Sequence, residues 1–211
     1  MANKKKKKSI VYPVFFMILV SVVFTFALSL INELTIDTIK AQADFKNQKT
    51  LLYVFDIDFD SKASREEIDK LYNQVLSQKP VNNENFDVYV ATEDNEIIGY
   101  AFPIEGKGLW GTIKGYIAFD QDYNEIIGVD FISHSETPGL GGRIDELWFK
   151  DQFRGIKMSE TESEKLGVII YSPAPGSNAE PITGATLTSD SVRKMFNTSI
   201  SYILEEVRGE F

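Results

Sequence analysis

The chain has 211 residues, 43% hydrophobic and 12% aromatic, enough for one folded domain in addition to a membrane anchor. It contains no cysteine and a single histidine, which excludes disulfides, thiolate metal sites, cysteine-ligated iron–sulfur clusters and histidine-cluster metal sites. The formal charge is −9; setting aside Lys4 to Lys8 leaves 17 of the 22 basic residues against 31 acidic ones, a balance of −14 that argues against nucleic acid and anionic lipid surfaces as partners.

Residues 4 to 8 are five consecutive lysines, and the 22 residues from Ile10 to Ile31 carry no charge. A helix of that length is roughly 33 Å long, enough to cross the hydrocarbon core of a bilayer. The apolar run is long for a signal peptide, and no clear small-x-small cleavage site follows it. Lysines before the span and Glu33 and Asp37 after it place the N-terminus in the cytoplasm, by the positive-inside rule. The expected organisation is a basic N-terminus (1–9), a transmembrane helix (10–31), a helical connecting region (32–80) and one domain (81–211). That domain lies on the extracytoplasmic, periplasmic side of the cytoplasmic membrane.

Residues 32 to about 60 read as a continuing polar helix with an apolar patch, Leu51 to Phe55, suited to packing on the domain or on a partner. Ser64 and Glu67 form a capping box for a helix expected to run to about Gln78, ended by Lys79-Pro80-Val81-Asn82-Asn83. From Phe86 the apolar period shortens to that of strands. Residues 87–91 and 97–102 flank Glu93-Asp94-Asn95 as one hairpin, and 112–119 and 126–133 form a second pair. A short helix over Glu146 to Phe153 and a strand over Gly167 to Tyr171 follow. Antiparallel strands with helices before and after make the fold class α+β.

Two loops interrupt this pattern. Gly106-Lys107-Gly108-Leu109-Trp110-Gly111 reads either as a hairpin end with Trp110 in the core or as a sharp turn that presents an aromatic plane. Ser133 to Arg143 combines Pro138-Gly139 with Gly141-Gly142, an irregular segment of the kind that binds ligands, though a ligand-free connection has the same composition. His134 lacks a partner histidine or cysteine and reads as an incidental loop residue.

Near the C-terminus, Pro181-Ile182-Thr183-Gly184-Ala185-Thr186-Leu187-Thr188-Ser189 is a small-residue loop entering a helix, with Ser189 as the expected N-cap and Asp190 in the first turn. Val192, Met195, Phe196, Ser199, Ile200, Ile203 and Val207 recur at helical spacing. Small residues, hydroxyls and free N–H groups at a helix start suit a phosphate. On physics alone an ordinary capped turn has the same features.

Thr183-Gly184-Ala185-Thr186-Leu187-Thr188 resembles the flavinylation motif of the FMN-binding domain family, and Glu136-Thr137-Pro138-Gly139-Leu140-Gly141 resembles a second hallmark of it. Glu180 stands where that family usually has Asp. Gly106-Lys107-Gly108-Leu109-Trp110 is similar to the loop of the C-type member found in Na⁺-translocating NADH:quinone reductases; the related G-type member of Rnf complexes usually has a Trp-less glycine loop. The resemblance implies FMN held covalently by a phosphoester to Thr186, attached by a dedicated flavin transferase. It places Thr183, Gly184, Ala185, Leu187 and Thr188 around the tether, and Trp110, Glu136, Thr137 and Leu140 near the isoalloxazine or ribityl chain.

The implied role is an electron relay working with other membrane subunits of an ion-translocating NADH:quinone reductase or a Rnf-type ferredoxin:NAD oxidoreductase. No G-x-G-x-x-G follows a strand, so the chain is not expected to bind NADH itself. Two further readings are a membrane-anchored flavin sensor or docking module without turnover, and a stand-alone extracytoplasmic flavin reductase. The second of these would call for a substrate domain that the chain is too short to hold.

Overall fold

A computed structural model describes residues 10–82, 84, 86–158 and 167–211. The expected basic N-terminus, residues 1–9, lies outside the described residues, as does Asn83.

The chain divides into two compact units, residues 1–44 and 45–211. The first is built on helix α1, Val11–Val54. Pro13 is accommodated in its first turn, where a missing N–H removes no intrahelical bond. The apolar side chains from Ile10 to Ile31 point outward on every side, and the helix is long and apolar enough to cross a membrane.

The second unit begins with the last turns of α1, which end at Val54, followed by Asp56 in a left-handed conformation (φ 58°). The helix thus stops short of residue 60, and Leu51 to Val54 form its buried end. Helix α2, Arg65–Val75, starts at the expected capping box, with Ser64 Oγ accepting from Glu67 N and Glu67 accepting from Ser64 N. It ends three residues earlier than expected. Leu76 turns extended (φ −118°, ψ 139°) and opens strand β1, Leu76–Pro80, which pairs with β2, Asp87–Glu93. Lying at a sheet edge with Pro80 as its last residue, β1 places its proline where no inner ladder bond is lost.

The sheet continues with β3, Glu96–Lys107, β4, Thr112–Asp120, and β5, Ile126–Ser133, in the order β1-β2-β3-β4-β5 with every pair antiparallel. The β2–β3 turn has Asp94 and Asn95 both at positive φ, matching the right-handed strand twist. In the β4–β5 turn, Asp120 Oδ1 accepts from the N–H groups of Asn124 (2.6 Å) and Glu125 (2.9 Å).

Strand alternation sorts the two faces. Ala91, Ala101 and Ala118 line one face with Tyr116, and the small residues let Leu51, Leu52, Val54 and Ile68 pack close against them. The patch at 51–55 therefore packs on its own domain. The other face presents Val90, Phe102, Ile117, Phe119 and Phe131 to α4, Thr186–Tyr202, and to α3, Leu147–Asp151. The expected apolar stripe is buried at Val192, Met195, Phe196 and Ile200 of α4 and at Ile203 and Val207 of the π-helical turn Ile203–Val207 that continues it.

Residues 167–171 do not form the expected strand; a single bridge joins Tyr171 to Ala179. Side-chain amides take the place of a neighbouring strand. Asn197 accepts from Ile169 N (2.7 Å) and donates to its carbonyl (3.0 Å); Asn178 accepts from Ile170 N (2.9 Å) and donates to Val168 O (2.7 Å). Backbone groups satisfied in this way need no ladder.

Candidate functional site

Helix α4 starts at Thr186, with Ala185 in the N-cap position and no side chain capping it. The expected cap, Ser189, lies inside the helix and is fully buried. Its hydroxyl accepts from Ile182 N (2.9 Å) and donates to Ala185 O (3.1 Å), so it closes the preceding loop instead of capping the helix. Gly184 has φ 83°, a conformation that glycine alone adopts without strain. The backbone thereby brings Thr186 to the surface as the first helical residue. Ser189 N–H bonds to Ala185 O (3.0 Å), leaving the N–H groups of Thr186, Leu187 and Thr188 as those with no partner in the preceding turn. Asp190, one turn on, hydrogen-bonds to Lys194 (2.7 Å) and Arg193 (2.6 Å), which hold its carboxyl below the usual carboxylate range.

The segment after β5 reaches this helix start through Glu136. That side chain is 4% exposed, and both carboxylate oxygens are engaged: Oε2 accepts from Thr188 Oγ1 (2.5 Å) and Oε1 from Trp110 N (3.1 Å). Its own N–H donates to His134 Nδ1 (3.2 Å), and His134 Nε2 hydrogen-bonds to Asp145 (2.9 Å). His134 is therefore a fixed member of the loop, aiming the backbone of Glu136. Thr137 O accepts from Leu140 N (3.1 Å) and Gly142 N (2.9 Å), forming the turn that leads into a 3₁₀ segment, Gly141–Asp145.

Gly108 N bonds to Gly111 O (2.8 Å), closing the third loop. Trp110 projects outward, 68% exposed, which decides between the two readings of that loop.

These three segments enclose a cleft of ≈ 420 Å³. It is lined by Leu109 and Trp110, by Glu136, Thr137, Leu140 and Gly141, and by Gly184, Ala185, Thr186, Leu187 and Thr188. Nine of the ten candidate residues from the sequence thus meet in one place; Thr183 is exposed and does not line the cleft. Leu109 and Gly141 were not anticipated. Both lay inside loops already singled out, but the close fit of Gly141 against Thr188 and Glu136 is set by tertiary packing. Glu136 is the only charged residue among those lining the cleft. Leu109, Trp110, Leu140 and Leu187 leave a large apolar rim in water, and rims of this kind mark ligand or partner sites.

A larger groove of ≈ 490 Å³, bordered by Phe86, Ile104, Tyr202 and Ile203, shares no lining residue with the three loops; its charged residues are already paired, Lys114 with Glu105 and Glu84 with the Tyr202 hydroxyl. Size alone does not make it the better candidate.

Residues 108–201 match the FMN-binding domain family. The chain is 35% identical over 130 residues to the C-type member of the Na⁺-translocating NADH-quinone reductase of Chlamydia trachomatis serovar D, covering 53% of this chain and 41% of that protein. It is 32% identical over 113 residues to the corresponding Vibrio alginolyticus protein, covering 52% and 44%. The matches therefore span less than half the length of these curated relatives. The solved structure of the Parabacteroides distasonis counterpart superposes with a TM-score of 0.66 at 26% identity, covering 80% of this chain and 94% of that one. The Shewanella oneidensis NqrC structure, at 18% identity and TM-score 0.61, shares the fold.

Proposed function

We propose that this chain is a membrane-anchored flavoprotein subunit that carries FMN through a phosphoester to Thr186 and relays electrons within a Na⁺-translocating NADH:quinone reductase. The observation that carries this reading is the position of Thr186. It is exposed at the first turn of an uncapped helix, inside a cleft that also gathers the other two loops resembling the family. The cleft fits the group. Unpaired N–H groups and the partial positive charge of a helix start suit a phosphate, and the apolar rim suits a flat ring system. When bound, FMN supplies one-electron chemistry, while the protein supplies position and electrostatic environment.

The chain's own residues divide the work. Thr186 anchors and Gly184 allows close approach beside it, while Thr188 braces the first turn. Trp110, Leu109, Leu140 and Leu187 shield the ring faces from water. Thr137 offers a hydroxyl at the cleft wall. Thr183 and Glu180, exposed outside it, are available to a flavin transferase during maturation. The span at 10–31 anchors the chain in the cytoplasmic membrane with its lysines inside and residues 81–211 outside, beside the partner subunits. The two curated relatives named above, both of the C type, favour the quinone reductase over the Rnf-type complex.

The test is peptide mass spectrometry of the full chain co-expressed with a flavin transferase, alongside Thr186→Val. An FMN-phosphoryl mass on the peptide containing Thr186, absent from the variant, is the expected outcome. An unmodified wild-type peptide with an active transferase present overturns the tether.

A further inference from the structure

Glu136 stands at the centre of the three loops, yet almost none of it faces the cleft it lines. Its Oε2 is bound by Thr188 in the first turn of α4, and its Oε1 by the backbone of Trp110 in the glycine loop. Two glycines fit closely against this carboxylate. A Cβ on Gly108 would lie 2.5 Å from Oε1, and one on Gly141 would lie 2.9 Å from Oε2 and 2.5 Å from Thr188 Oγ1. The glycine loop and the start of α4 thus each donate one hydrogen bond to this acid, while Gly108 and, in the acid's own loop, Gly141 pack against it. A carboxylate with both oxygens taken and no room around it has little left to offer a ligand.

We propose that Glu136 is a positioning residue: it clasps the first turn of α4 to the glycine loop and so fixes where Trp110 stands relative to Thr186. This rests on the reading of Thr186 as the flavin tether. The clasp holds the spacing between the point of attachment and the indole that covers the ring. Neither loop is otherwise tied to the other by a side-chain hydrogen bond among the described residues. A side chain at 188 without a donor thus releases a loop far from it in sequence, and that distant effect separates a clasp from a local structural role.

The experiment measures hydrogen exchange, by mass spectrometry, of the peptide containing Gly108 to Gly111. It uses the full chain in detergent without flavin. The variants are Thr188→Val, Thr188→Ser, Glu136→Ala and Glu136→Gln, with thermal unfolding as a control for the fold. Thr188→Val, which keeps the side-chain shape, speeds exchange in that peptide about tenfold, the scale expected for losing one hydrogen bond. Thr188→Ser leaves it at the wild-type rate. Glu136→Gln rescues Glu136→Ala, since its amide oxygen accepts from Trp110 N and its amide nitrogen donates to Thr188. Combining Thr188→Val with Glu136→Ala adds nothing further.

In protein bearing FMN, Thr188→Val alters the visible circular dichroism of the flavin while its mass stays on Thr186. Unchanged exchange at 108–111 in a folded Thr188→Val protein, or additive effects in the double variant, overturns the clasp. If wild type co-expressed with an active flavin transferase carries no FMN, the tether reading fails, and the exchange measurement still decides the clasp.

Discussion

The ammonium of Lys150 donates to Asp130 Oδ1 at 2.8 Å, joining α3 to β5 with side chains 10% and 13% exposed. Tyr53, near the end of α1, lies beneath the same ammonium, its ring centroid 4.3 Å away. The neighbouring Arg154 donates to Tyr53 O (2.7 Å) and Ile127 O (2.6 Å). Lys150 and Arg154 thus tie the end of α1 around Tyr53 to the β5 edge of the sheet.

Removing one partner of that ion pair leaves the other charge out of water. Lys150→Met is expected to cost about 3 kcal/mol, and Lys150→Met with Asp130→Leu clearly less than the single change. Chemical denaturation of the three proteins reads the difference; equal losses would show that the pair is solvated.

A methyl group at 108 enters the space of Glu136 Oε1, Gly111 O (2.9 Å) and the Ile113 side chain (2.9 Å). Gly108→Ala should therefore destabilise the domain by about 1–3 kcal/mol. It should also lower the fraction of chains that carry flavin. Gly139 has open space around its Cβ position but a φ of 74°, so Gly139→Ala should cost about 1 kcal/mol through backbone strain alone. Unfolding curves with flavin absorbance distinguish the two.

Burial, reinforced by the hydrogen bond its hydroxyl donates to Asp151, pushes Tyr53 up to about 12; burial does the same to Tyr72. The folded state holds these protons more tightly than the unfolded chain does. Their contribution is complete below pH 10 and is lost as pH rises from 10 to 12. Stability followed by denaturation across that window should fall with pH, and less steeply in Tyr53→Phe.

Ser64 and Glu67 satisfy each other's backbone N–H groups at the start of α2. Ser64→Ala should cost about 1 kcal/mol and Ser64→Asp little. Losses of equal size in both would mean that the cap does not stabilise this helix in the folded domain.

Local chemistry made much of the molecule legible in the sequence. The charge-free run at 10–31, the capping box, the Asp94-Asn95 turn and the stripe on α4 each express a rule acting within a few residues. The family resemblance located the three loops. The sequence misled where a distant partner decided the outcome. Leu76 to Gln78 left the expected helix because β2 offered them a ladder, and residues 167–171 found their hydrogen bonds on Asn178 and Asn197 instead of on a strand. Ser189 had the chemistry of a cap, but burial beside Ile182 and Ala185 gave its hydroxyl other partners. Glu136 shows the division most clearly. Its place in a motif could be read from residues 136–141 alone, whereas its grip on Thr188, 52 residues away, exists only because the sheet and α4 bring the two together. Residue type sets which hydrogen bonds a side chain can make; tertiary packing selects which of them form, because a buried donor or acceptor must take whatever partner the fold places within reach.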